Sequence, residues 1–219
     1  MINTEVSLEV IQKKYKQNYY LIENEFLKFQ NLFLTDLYKE FKDFDTANIF
    51  IYISRSLHEE VLKNRIFDLK SDISYDNFTN SIFNISQKKN RIIEISREIG
   101  LPKETTRRKI NNLIKQKIIK KINKKKDLIP SSNFINRYKS IIVSHNKFIV
   151  KILSIICNHL DIKKTKKEIS DNFERNYSFY IYNIFNNQIK FINIWNKIFK
   201  DFETLTILMQ CISQTYNYA

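Results

Sequence analysis

Glycine is nearly absent: Gly100 is the only one in 219 residues, and there are two prolines, Pro102 and Pro130. Tight hairpins and bulges draw on glycine for positive φ, so a β-rich fold is excluded in favour of long helices with few sharp turns. A single glycine also excludes a glycine-rich phosphate loop. Two cysteines, Cys157 and Cys211, are too few for a disulfide framework. The opening MINTEVSLEV has no basic segment leading into an apolar run, so no signal peptide is expected. The most apolar stretch, Ser140–Leu160, is broken by His145, Asn146, Lys147 and Lys151, and reads as a buried helix and not a membrane span. The expected compartment is a reducing cytoplasm.

What is present is apolar and basic. Hydrophobic residues make up 43% of the chain, enough for a packed core and too many for a disordered tail. The net charge is +14, but 37 Ile, 29 Lys and 25 Asn against 5 Val and 2 Ala point to an AT-rich coding sequence that inflates lysine everywhere. The distribution is more informative than the total. Residues 1–86 carry a net charge of −3, residues 87–126 carry +12, and residues 127–219 carry +5. Codon bias acts along the whole chain, so it does not explain forty residues holding most of the excess. A localised block of this kind is the electrostatic footprint of a polyanion partner, or else a solvated charge run.

Apolar spacing predicts a mainly α fold. Leu8, Ile11, Tyr15, Tyr19, Ile22, Phe26, Phe29, Phe33, Leu37 and Phe41 recur at helical steps over 7–43. Asp45 is the expected cap of a second helix carrying Ile49, Ile53, Leu57, Val61 and Ile66 on one face. Ser71–Lys89 is polar and irregular, with room for short helical turns. Phe134–Leu160 reads as a third long helix, Asp161–Lys167 as a charged linker, Ile169–Phe199 as a helix apolar on more than one side, and Phe202–Tyr218 as a last helix. The expected division is an N-terminal helical segment (1–44), a central unit that holds the basic block (45–133) and a C-terminal helical core and dimerisation region (134–219).

The basic block runs from Asn90 to Pro130. Ile92, Ile95 and Ile99 mark one face of a short helix, with Asn90 as cap and Ser96 small enough for a close crossing. Gly100 falls one residue past the last apolar position, where a left-handed residue ends a helix. Leu101 plugs the turn and Pro102 suits the first turn of the next helix. That helix should bury Thr106, Ile110, Leu113 and Ile114 and expose Lys103, Glu104, Arg107, Arg108, Asn111 and Lys115. Ile118–Ile122 and Leu128–Ile129 then read as two short strands around a lysine-rich tip.

Helix, glycine turn, basic helix and β-hairpin together form a pattern. The run Ile99-Gly100-Leu101-Pro102-Lys103-Glu104-Thr105-Thr106-Arg107-Arg108, then Leu113-Ile114-Lys115-Gln116-Lys117-Ile118-Ile119, resembles the winged helix-turn-helix of bacterial transcriptional regulators of the MarR and GntR type. Two positions depart from the family pattern: Thr106 stands where a buried Val is usual, and Lys117 where Gly usually ends the recognition helix. The resemblance implies a winged helix-turn-helix domain with a short hairpin wing, flanked by long N- and C-terminal helices. It implies a regulator of transcription that binds double-stranded DNA through Lys103, Glu104, Thr105, Arg107, Arg108 and Asn111 of the helix and Lys124, Lys125 and Lys126 of the wing; because one winged helix reads only a few base pairs, a homodimer is expected. A replication or partition initiator, a nucleoid-associated DNA-binding protein and a helical protein-interaction module are the alternatives. Operator and effector do not carry over.

Other chemistry is thin. His58-Glu59-Glu60 lacks the second histidine of a zinc-protease helix, and Cys157-Asn158-His159 has no visible partner pair. No catalytic residue, metal, cofactor or membrane partner is expected. The aromatic stripe at 173–199 reads as core or dimer packing before it reads as the pocket of a small-molecule effector.

Overall fold

The computed structural model describes residues 8–17, 19–83, 91–121, 128–160, 162–199 and 201–218. The chain is mainly helical, with one small antiparallel sheet. The helices are α1 (Leu8–Gln17), α2 (Tyr19–Phe41), α3 (Phe44–Phe67), α4 (Tyr75–Ser81), α5 (Ile92–Ile99), α6 (Lys103–Lys115), α7 (Phe134–Ile141), α8 (Asn146–His159), α9 (Lys166–Arg175), α10 (Tyr177–Ile198) and α11 (Phe202–Tyr218). Strands β1 (Ile119–Lys121) and β2 (Leu128–Pro130) pair with Ile119 opposite Pro130 and Lys121 opposite Leu128.

The centre is the pairing of α3 with α10. Helix α3 is apolar on several sides because it is covered on several sides: α10, α2, α5 and α6 all pack on it. Ile49, Phe50, Ile51, Ile53 and Leu57 are fully buried there, each worth about 1.5–3 kcal/mol relative to exposure. From α10 come Tyr177, Ile181, Phe185, Ile189 and Ile192. Helices α11 and α8 pack on α2, and the core continues without a break from Leu27 to Met209.

One hydrogen-bonded chain crosses this core. His58 Nε2 lies 2.8 Å from the Tyr138 hydroxyl, which lies 2.9 Å from the Tyr177 hydroxyl, joining α3, α7 and α10. The imidazole stacks on Phe78 at 3.9 Å between centroids.

Several boundaries differ from the sequence expectation. Asp43, not Asp45, caps α3: its carboxylate accepts from the Asp45 N–H and from the Thr46 hydroxyl. Ile66 has helical spacing but sits 74% exposed in the last turn of α3. Within 71–89 the short helical turns allowed by the sequence take the form of α4, seven residues capped by Ser74. The long helix expected over 134–160 is interrupted by a 3₁₀ turn, Val143–His145. There the Ser144 hydroxyl donates to the Ser140 carbonyl at 2.8 Å, and His145 turns inward against Phe29, Phe33 and Phe148. The run Phe134–His159 is the one stretch among the described residues long and apolar enough to cross a membrane, at mean hydropathy 1.5. Phe134, Tyr138 and Ile141 of α7 are buried as expected, whereas in α8 only Ile149 and Val150 are. The supposed linker at 161–167 contains the start of α9, where Thr165 and Glu168 satisfy each other's backbone N–H groups. Asn176 then separates α9 from α10, its side chain donating to the Asn172 carbonyl at 3.1 Å.

Candidate nucleic-acid interface

The site begins with a turn. Gly100 has φ +72°, and the Leu101 N–H reaches back to the Ser96 carbonyl at 3.1 Å, closing α5 with a left-handed residue as the spacing predicts. Ser96 serves the turn as more than a small residue: its hydroxyl donates to the Leu101 carbonyl at 2.6 Å. Pro102 precedes the first residue of α6, and its carbonyl accepts both the N–H and the hydroxyl of Thr106, at 2.9 and 3.1 Å. That bond explains how Thr106 occupies a fully buried position.

Ile110 and Leu113 join Thr106 on the inner face of α6, and Ile114 is half-buried. The opposite face is polar throughout. Glu104, Arg108, Asn111 and Lys115, at steps of four, three and four, form its outermost line. Lys103 and Arg107 are exposed on one flank; Thr105, half-buried, and Asn112, exposed, lie on the other. An open groove of about 740 Å³ follows this surface.

The C-terminus of α6 is closed by Lys117, which adopts φ +56°. The Ile118 N–H bonds to the Leu113 carbonyl at 3.0 Å and the Lys117 N–H to the Ile114 carbonyl at 3.0 Å, a Schellman closure made without glycine. The ribbon follows at once. Ile119 and Leu128 are buried under it, while Lys120 and Lys121 are exposed. Lys121 Nζ donates to the Asn111 side-chain oxygen at 3.4 Å, so ribbon and helix present one surface. Backbone bonds from Ser131 to Ile118 and from Asn133 to Lys117, at 2.8 and 3.0 Å, fix the exit to α7.

Polar ties to the core set the orientation of this unit. Lys109 forms an ion pair with Asp43, the cap of α3. Burial alone would raise the Asp43 carboxyl, but hydrogen bonds from Lys109 and Thr46 outweigh it and hold it below its ordinary value. Asp45 next to it is pushed up, first by burial and then by the charge of Asp43. On the other side Arg55 of α3 pairs with Glu98 of α5 at 2.8 Å, and Asn193 of α10 donates to the Glu98 carbonyl at 2.9 Å.

The structure gathers Lys103, Glu104, Thr105, Arg107, Arg108 and Asn111 on one helix. Lys124, Lys125 and Lys126 lie outside the described residues, as does Asn90, and Arg91 stands at the cap position of α5. Arg107 is not unattached: its Nη1 lies 2.6 and 2.8 Å from the two carboxylate oxygens of Glu104. Arg108 has no ion-pair partner among the described residues. Sequence reasoning missed Lys120, Lys121 and the Asp43–Lys109 tie. The outward Lys120 was legible from strand alternation next to buried Ile119. Nothing in the spacing joins Asp43 to a residue so far along the chain. Among the described residues no three His, Cys, Asp or Glu side chains converge as metal ligands, and Cys157 and Cys211 are both free thiols. Comparison with protein families, curated proteins and solved structures returned no match for this chain.

Proposed function

We propose that the chain is a winged helix-turn-helix regulator of transcription that binds double-stranded DNA as a homodimer in the cytoplasm and has no catalytic chemistry of its own. In this reading α5 and α6 are the helix-turn-helix, α6 is the recognition helix and β1–β2 is the base of the wing. The observation that carries it is the surface of α6 and β1. Arg107, Arg108, Lys115, Lys120 and Lys121 are all exposed on a helix and ribbon held in one orientation by a left-handed turn and by ties to α3 and α10. A helix of this length fits the major groove, and arginine and asparagine at its N-terminal half can read base edges. One such unit reads few base pairs, and two-fold pairing supplies a second half-site about one helical turn away.

Direct titration of labelled duplex with the purified chain, followed by anisotropy, tests this. With roughly six phosphates contacted, log K should fall against log salt with a slope of about −5. An affinity unchanged between low and high salt removes the basic surface as a DNA site. Retention of acidic protein but not duplex makes the chain an interaction module. Binding without sequence preference makes it a nucleoid protein, and an iterated preferred site makes it an initiator.

A further inference from the structure

Resting on that DNA-binding reading, we infer that Glu104 is a specificity-determining residue that selects a cytosine in the major groove, with Arg107 as its positioning partner. Between residues 103 and 121 there are seven lysines and arginines outside the ion pair with Asp43, and a single acid. That acid is the first member of the outermost line of α6, and its side chain is 73% exposed. A carboxylate aimed at a polyanion costs affinity, so its place at the most forward position needs a compensating gain.

Base chemistry supplies the gain. An ionised carboxylate only accepts hydrogen bonds. In the major groove guanine and thymine present acceptors, which it repels. Adenine presents an amino donor beside the N7 acceptor, and cytosine an amino donor without one. Cytosine is therefore the base that a carboxylate there tolerates best. Arg107, half-exposed and bonded to both Glu104 oxygens through Nη1, fixes the carboxylate's direction and offsets its charge against the neighbouring phosphates. A purely local role, with Glu104 complementing the helix dipole and pairing Arg107, makes a different prediction: loss of the pair lowers the melting temperature and weakens all duplexes alike.

The experiment is selection from a pool of randomised duplexes with the full chain, its E104A and E104Q variants and R107Q. Anisotropy on the winning and on a random duplex, and a melting curve for each variant, accompany it. The wild type should converge on a site with cytosine at one position. E104A should lose about 5- to 100-fold of discrimination at that position alone. It should also hold random duplex more tightly, with a salt slope steeper by about 0.9. E104Q, nearly isosteric, should shift that position towards adenine. R107Q should blur the same position and leave the others. If E104A and E104Q keep every base preference of the wild type, or if the wild type binds duplex with no preference, the inference falls and DNA binding stands. If the wild type retains no duplex at all, the reading beneath it falls too.

Discussion

Gly100 and Lys117 stand at the two ends of α6 in the same left-handed region of backbone space, one with the residue suited to it and one without. A Cβ built on Gly100 meets nothing within 4 Å, so the cost of a side chain there is conformational and not steric. Gly100→Ala should cost about 1–2 kcal/mol, Gly100→Asn less, and Gly100→Val most, in urea midpoints at constant slope. Equal stability across the three would mean that the turn is not held in the left-handed form. Lys117 carries the opposite expectation. Lys117→Gly relieves a strained residue at the expense of a more flexible unfolded chain, and should raise stability by about 0.5–1 kcal/mol on the same measurement. A loss of stability would show that the Schellman closure depends on the lysine side chain.

Within the proposed interface, helix and ribbon differ in what they can contribute. Arg108 lies in the outermost line of α6, so Arg108→Ala should lower affinity for the preferred site more than for random duplex, by about 1–3 kcal/mol of discrimination. Lys120→Ala should weaken both by the same factor, since a ribbon lysine on phosphate carries no direct sequence information. Competition of preferred against random duplex decides; the reverse pattern exchanges the roles of helix and ribbon. Much of this element was legible in the sequence because its signals are local: an apolar period, one glycine, one proline, a change of spacing after Leu113. The breaks at Val143–His145 and Asn176 were not legible. They rest on side chains bonding to nearby carbonyls while the apolar period runs on unbroken, and periodicity does not register that competition. The Asp43–Lys109 tie was hidden for another reason, that contacts between distant residues leave no trace in spacing.

For the molecule as a whole, acid sensitivity follows from its buried histidines. Burial holds the His58 imidazole well below the ordinary value of 6.5, and it holds His145 lower too, against the pull of Asp36. His58 is neutral in the folded chain. Below about pH 6.5 the unfolded chain takes up protons that the folded one refuses, so stability falls as pH falls. The loss should approach about 1.4 kcal/mol per pH unit from His58, with His145 adding in the same direction, and begin before the carboxylates of Asp43 and Glu25, both held low, start to titrate. His58→Gln keeps a polar partner for Tyr138 and should flatten the slope of urea midpoints between pH 6.5 and 5; an unchanged slope would remove His58 as a source. The pairing of α3 with α10 has a further consequence during synthesis. The two helices share the core, yet everything from α4 to α9 lies between them in the chain. At about 5–20 residues per second the ribosome delivers α10 on the order of ten seconds after α3. Through that interval His58 waits for Tyr177 and Phe185, and Arg55 for Asn186, all still untranslated. A ribosome stalled inside α9 would hold a nascent chain with the α10-facing side of α3 uncovered, a natural client for chaperones and an early target for proteolysis.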